Sequence, residues 1–272
     1  MLFKNKTIFI TGASRGIGKA IALRFAAEGA NIAIAAKSTE ENPKLGGTIF
    51  SAAEEVQAAG GKALPLQVDI RNEDQIIAAV HKTTETFGGI DAVINNASAI
   101  QLTGTAATAS KQFDLMFNIN VRGTFLVTQY CIPHLKQSSN AHILTLSPPL
   151  NLNDKWLAPH IAYTLSKYNM SMMALAWATE LKSYNIASNA LWPKTTIDTA
   201  AVRNLLGGEA LVKMSRTTDI IADAAFAILS KTNLSYTGNT FIDENVLAAE
   251  GITDFDKYAV NPGGRLYTDL FL

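Results

Sequence analysis

Three glycines within eight residues constrain this chain more than any other feature. In Thr11-Gly12-Ala13-Ser14-Arg15-Gly16-Ile17-Gly18 they stand between an apolar run and a helical pattern. The run Thr7-Ile8-Phe9-Ile10 reads as a buried strand. Ile17, Ala20, Ile21 and Phe25 then recur at helical spacing, so a helix begins near Gly16. A strand, a glycine turn and a helix amino terminus together make a phosphate site. The glycines admit close backbone approach, and the helix end offers free N–H groups at the positive pole of its dipole. A ligand-free turn would account for a single glycine. Three in register at the first strand–helix junction favour a dinucleotide.

The same alternation continues along the chain. Strand-like runs fall near 6–11, 31–36, 62–68, 91–95, 141–147, 186–191 and 239–242. Helical patterns fall near 17–28, 49–59, 73–87, 110–136, 160–183 and 218–230. This predicts an α/β fold, a doubly wound and mostly parallel seven-stranded sheet with helices on both faces. Three connections are long: 38–48, 148–159 and 192–208. Each follows a strand, and ligands of such sheets bind at the carboxyl ends of the strands. Residues 1–272 read as a single dinucleotide-binding domain. Residues 244–272 carry Phe255, Tyr258, Tyr267 and Phe271, and are expected as a C-terminal tail docked on the body or on a partner subunit.

Composition narrows the class. Acidic and basic residues number 23 each, so charge gives no basis for binding nucleic acid or an anionic membrane. With Cys131 as the only cysteine, an internal disulfide is impossible, and a cytoplasmic location is expected. No apolar run approaches the ~18 residues of a membrane span. The histidines at 81, 134, 142 and 160 show no metal-ligand spacing, so no metal is expected. His160 is close enough to Tyr163 to line a pocket.

The segment Tyr163-Thr164-Leu165-Ser166-Lys167 places a phenol and an ammonium one helical turn apart. A nearby cation lowers a tyrosine pKa. Moving it from ~10 to neutrality takes ~4 kcal/mol. Lys167, joined by a second positive charge on a bound cofactor, would make Tyr163 a general acid/base. Tyr and Lys at this spacing are also common surface neighbours, so the pair gains weight only from the glycine turn before it.

Taken in order, Thr11-Gly-x-x-x-Gly-x-Gly18, Asn95-Asn96-Ala97, Asn120, Ser147 and Tyr163-x-x-x-Lys167 resemble the short-chain dehydrogenase/reductase family, to about residue 245. The stretches 142–153 and 189–195 resemble its hydroxysteroid dehydrogenase-like branch. At 272 residues we expect no added sterol-carrier domain. The resemblance implies a Rossmann-type fold and a homodimer or homotetramer paired through the 110–136 and Tyr163 helices. It implies an NAD(P)-dependent oxidoreductase acting on a carbonyl or alcohol. Tyr163 would be the acid/base, Lys167 would hold the nicotinamide ribose, Ser147 would hydrogen-bond the substrate oxygen, and Asn120 would anchor a water. Asn118 competes with Asn120, which alone fits the family's Asn-Val-x-Gly pattern.

For the cofactor, the resemblance implicates Gly12, Ser14, Arg15, Gly16, Ile17 and Gly18 at the phosphates, with Asp69 at the adenine. The alternative, that Asp69 caps the helix that follows, is less favoured than the adenine role. Asn95 follows the fourth strand, and Ile197 or Thr199 would hold the carboxamide, in a register ambiguous by one residue. NAD users of this family end the second strand in an acid. Here Ala36 stands there and Lys37 follows, with Arg15 in the glycine turn. Two cations suit a 2′-phosphate, so NADP is expected over NAD. Glu40 and Glu41 leave open a carboxylate supplied by the 38–48 insert.

Three departures stand out. Ser98 and Lys194 replace glycines usual in the family, and Ser147 and Tyr163 are 16 residues apart, a wider gap than usual. Trp156 and Leu157 in that gap could wall the site. The competing function is a non-catalytic nucleotide-binding sensor or scaffold, which has no need of the full Ser, Tyr, Lys and Asn set. Enoyl reduction would place the lysine farther from the tyrosine. The substrate is expected to be an apolar carbonyl or alcohol.

Overall fold

The computed structural model describes residues 1–232 and 234–272. The apolar runs form one parallel sheet. Its strands are β1 (Thr7–Thr11), β2 (Asn31–Ala36), β3 (Lys62–Gln67), β4 (Ala92–Asn95), β5 (Ala141–Leu146), β6 (Ile186–Trp192) and β7 (Thr240–Ile242). Their order is β3-β2-β1-β4-β5-β6-β7, and every neighbouring pair is parallel. β1, β2, β4, β5 and β6 are buried throughout, as expected of strands covered on both faces.

Two apolar layers cover the sheet. On one face α1 (Gly16–Ala26), α2 (Ile49–Ala58) and α9 (Asp219–Leu229) bury Ile21, Phe25, Val56, Ile221 and Ile228. On the other, α3 (Glu73–Phe87), α4 (Ser110–Met116), α5 (Thr124–Leu135) and α7 (Ile161–Glu180) pack, with Ile76, Val127 and Trp177 in the core. Local chemistry sets the ends. Thr48 and Ser51 form a reciprocal capping box on α2, and the Asn72 side chain caps α3.

The chain departs from the sequence expectation in three places. The helix expected over 110–136 is interrupted by a π-helical segment, Phe117–Gly123, between α4 and α5. The 148–159 connection contains the short helix α6 (Asp154–Leu157), and α8 (Gly208–Val212) follows the sixth strand's loop. The segment after 242 begins with α10 (Asp243–Ala249), which buries Val246 and Leu247. The remainder lies on the body: Thr268 bridges Thr195, and Phe271 is fully buried. Among the described residues, no helix is long and apolar enough to cross a membrane.

Two buried groups on the sheet layers are inert by environment. Cys131 on α5 is fully buried, and burial pushes its thiol far up. His142 on β5 donates Nε2–H to the Lys231 carbonyl at 3.1 Å, and burial holds its pKa down to about 4. Because the unfolded chain takes up this proton first, the contribution is fully present above ~6.5 and is lost as pH falls through 4. We predict that His142→Gln removes an acid-side loss on the order of 3 kcal/mol. Urea unfolding of both proteins at pH 7 and below 5 reads the difference; parallel curves would refute it.

Candidate active site

β2 and β3 lie on one side of β1, and β4 lies on the other, so a crevice opens at the carboxyl ends of β1 and β4. The glycine turn and Asn96 fill its floor. Asn96 Nδ2 donates to the carbonyls of Thr11 at 2.8 Å and Gly12 at 3.2 Å. Gly12 takes a φ of 69°, where a side chain would be strained. A Cβ on Gly18 would stand 2.5 Å from Asn96 Nδ2 and 2.7 Å from the Gly12 oxygen. α1 has neither a side-chain cap nor an acid in its first turn, which leaves its leading N–H groups for an anion. This cradle fits a dinucleotide pyrophosphate.

The crevice leads into a cleft of about 800 Å³. Gly12, Ser14, Arg15, Gly16 and Ile17 line one side, while Lys37, Asp69 and Thr199 lie elsewhere on the wall. Arg15 Nη2 donates to Ser38 Oγ at 2.5 Å and to the Gly47 carbonyl at 2.8 Å, so the 38–48 insert is folded over the turn. Asn42, Lys44 and Leu45 of that insert line the cleft, whereas Glu40 and Glu41 do not. Asn204 Nδ2 donates to the Lys44 carbonyl at 2.8 Å, tying the insert to the loop after β6. Lys37 Nζ stands 3.9 Å from Asp69, whose carboxyl Arg71 holds below the usual range through hydrogen bonds. Asn72, not Asp69, caps α3.

Three expected cofactor contacts point elsewhere. Asn95 turns its side chain to Thr128 Oγ1, 2.9 Å away in the core, and Asn96 faces the cleft in its place. Ile197 is buried and bridges to Arg216, which leaves Thr199 on the cleft wall. Gly18 lies under Asn96.

At the adjacent strand end the catalytic candidates converge. Ser147 directly follows β5 and is 1% exposed; among the described residues its Oγ has no hydrogen-bond partner. Tyr163 and Lys167 lie on one buried face of α7, 4% and 2% exposed. Lys167 Nζ donates to the Leu146 carbonyl at 2.6 Å, which fixes the ammonium beside the residue preceding Ser147. Asn120 lies in the π segment, a wide turn often found at functional sites. Its Nδ2 donates to the Ala99 carbonyl and to Ser166 Oγ, both at 2.9 Å, and its Oδ1 accepts from Ala99 N at 2.8 Å. Asn118 is exposed, so Asn120 is the asparagine that faces inward. Ala99 lines the cleft and also packs on the Tyr163 cluster, which joins the two regions.

The protein's own groups do not by themselves depress the Tyr163 pKa. Burial, and then the Asp269 carboxylate, push the Tyr163 phenol well above its ordinary range. Burial also brings Lys167 down to about 7, with Asp269 opposing that shift. The expected depression of Tyr163 assumed a well-charged lysine and a second cation; the protein's own groups work the other way.

Asp269 and Phe271 escaped sequence reasoning as site residues. Burial pushes Asp269 up to about 7. Phe271 lies in one apolar cluster with Tyr163, Tyr168 and Trp192. Its ring centroid is 6.1 Å from those of Tyr163 and His160. Among the described residues, no group of three or more His, Cys, Asp or Glu is placed to hold a metal.

The short chain dehydrogenase family matches residues 6–209. The chain belongs to this family. Hydroxysteroid dehydrogenase-like protein 2 of Xenopus tropicalis is 60% identical over 266 residues, covering 98% of this chain and 63% of the relative. Its human counterpart is 59% identical over the same shares. The chain thus spans less than two thirds of the length of these relatives. The crystal structure of a short chain dehydrogenase from Mycobacterium thermoresistibile is 54% identical, with a TM-score of 0.94, covering 100% of this chain and 96% of that one. Family membership accounts for the seven-stranded parallel sheet with helices on both of its faces.

Proposed function

We propose that this protein is an NADP-dependent dehydrogenase or reductase that moves a hydride between the nicotinamide and an apolar carbonyl or alcohol. The observation that carries this reading is the convergence of buried Ser147, Tyr163 and Lys167 at a strand end beside the glycine-floored cleft. Tyr163 gives its proton to the carbonyl oxygen in reduction and takes it back in oxidation. Ser147 Oγ donates a hydrogen bond to that oxygen, stabilising the charge that develops on it. Lys167 would hold the ribose hydroxyls, beside the strand end that carries Ser147. Asn120 supports the turn of α7 through Ser166 and holds a water leading to the lysine. Hydride donation and acceptance are the chemistry a bound nicotinamide would supply.

Gly12, Ser14, Gly16 and Ile17 would receive the pyrophosphate, with Asp69 at the adenine and Thr199 beside the carboxamide, while Gly18, Asn95 and Ile197 would shape the site from behind the cleft wall. The NADP preference is supported by Arg15, Lys37 and Lys44 on the cleft wall, with Glu40 and Glu41 outside it. A 2′-phosphate would meet cations there. We predict tighter binding of NADPH than of NADH in calorimetric titration, with Lys37→Asp narrowing or inverting the preference. Equal affinities would overturn it. A carbonyl panel assayed with both cofactors tests the reaction itself; no hydride transfer to any apolar carbonyl would refute the proposal.

The same reading includes a homodimer or homotetramer. Phe113 and Phe125 on α4 and α5, and Leu165 and Met172 on α7, are exposed large apolar side chains that a subunit contact would cover. Light scattering at micromolar concentration should give a mass of two or four chains; a monomer would contradict it.

A further inference from the structure

We propose that Phe271 is a removable plug, and that a substrate reaches Tyr163 by replacing its ring with an apolar group of similar size. This rests on the carbonyl chemistry proposed above. With Ser147 1% and Tyr163 4% exposed, little of either residue is open to a substrate until a covering side chain moves. Phe271 is fully buried against the Tyr163 ring, so its departure would open room beside that ring. Its centroid lies 5.3 Å from Tyr168, 5.8 Å from Trp156, 5.9 Å from Trp192 and 6.1 Å from Tyr163. An aromatic cage of this kind favours a flat apolar occupant.

The segment bearing the ring is suited to leave. Residues 264–272 form no regular element beyond the Thr268 bridge to Thr195. Single hydrogen bonds to the body hold them: Trp192 Nε1 to the Leu270 carbonyl at 2.9 Å, Asn151 Nδ2 to that of Phe271 at 3.1 Å, Lys155 Nζ to that of Leu272 at 3.0 Å, Asp269 N to that of Lys194 at 3.0 Å, Tyr267 N to that of Met214 at 2.9 Å, and Thr196 N to that of Tyr267 at 3.0 Å. Phe271 itself has a φ of +74°, a left-handed conformation that is an outlier for a bulky residue. Strain of this sort persists only where surroundings enforce it, and it collects in switch segments. Lifting the strap releases it. Meanwhile Ser147 Oγ, buried and unpartnered, stands ready to donate to an incoming oxygen. The dinucleotide cleft is walled by none of residues 264–272, so cofactor binding does not require the strap to move.

The test compares 4-phenylbutan-2-one with butan-2-one, which lacks the ring, in the NADPH-loaded protein. If the ring must be expelled first, apparent affinity is reduced by the fraction of molecules already open. Phe271→Ala should then lower KM for 4-phenylbutan-2-one by about threefold or more, without lowering kcat. A permanent wall predicts the opposite sign, a raised KM from lost contact, and that result would overturn the plug. Phe271→Leu must move KM in the same direction, and it decides the matter if the alanine variant does not fold. Wild-type protein gives a second readout independent of turnover. Trypsin cleavage after exposed Arg265 should accelerate when 4-phenylbutan-2-one is added. Acceleration without turnover would refute the proposed reaction but not the plug. Unchanged cleavage during normal turnover would refute the plug but not the reaction.

Discussion

Tyr163→Phe is expected to reduce turnover by about 10² to 10⁴-fold while NADPH binding and the melting temperature stay near wild type. The substitution removes one oxygen and leaves the ring. The ring supplies the packing, against Phe271 and His160 in the cluster on α7. The hydroxyl is costly to ionise where it stands, since burial disfavours phenolate. Without a bound cofactor it therefore stands protonated, the form that the proposed reduction would use and the proposed oxidation would not. Oxidation should consequently rise steeply with pH, and reduction should not. Steady-state rates in both directions, calorimetry with NADPH and a melting curve together check the expectation. Substantial activity in the phenylalanine variant would mean that another group moves the proton. A sensor or scaffold would show no turnover to lose.

Lys167→Met should cost more than turnover. The ammonium is 2% exposed and is held by the Leu146 carbonyl, with Asp269 as its acidic neighbour. Methionine keeps an unbranched chain of similar bulk but cannot hold ribose hydroxyls. Both kcat and NADPH affinity should fall, by at least tenfold in each. Stability should move the other way. Burial lowers the folded-state pKa of Lys167 to about 7 from 10.5. The charged form is thus disfavoured by folding. The penalty is complete below pH 7 and fades as pH rises toward 10.5. The variant should melt at or above the wild-type temperature at pH 6, with the gap shrinking by pH 9. A lower melting temperature at pH 6 would show that the buried cation stabilises the fold.

What could be read from sequence was what depends on neighbours along the chain. The strands of the sheet are legible in runs such as Ile32–Ala36 because burial on both faces removes polar residues. The glycine turn is legible because close backbone approach admits no Cβ. The wide Ser147–Tyr163 gap is absorbed by α6, a single helical turn begun at Asn153. Long-range geometry was not legible. Asn95 and Asn96 are equivalent in sequence, and only the pleat sends one to Thr128 and the other to the glycine turn. Arg15 reads as a free cation, yet Ser38 and Gly47 engage it once the insert folds back. Phe271 and Asp269 carry no motif, and tertiary packing alone brings them to Tyr163.

The single cysteine has a practical consequence. Cys131 is sealed in the core and its thiol is held strongly protonated, so it will not react with ordinary alkylating labels in the native state. The protein is in effect a blank background for thiol-directed spectroscopy. Cysteines introduced at Arg265 and at Leu205, both exposed, would give a donor–acceptor pair without first removing a native cysteine.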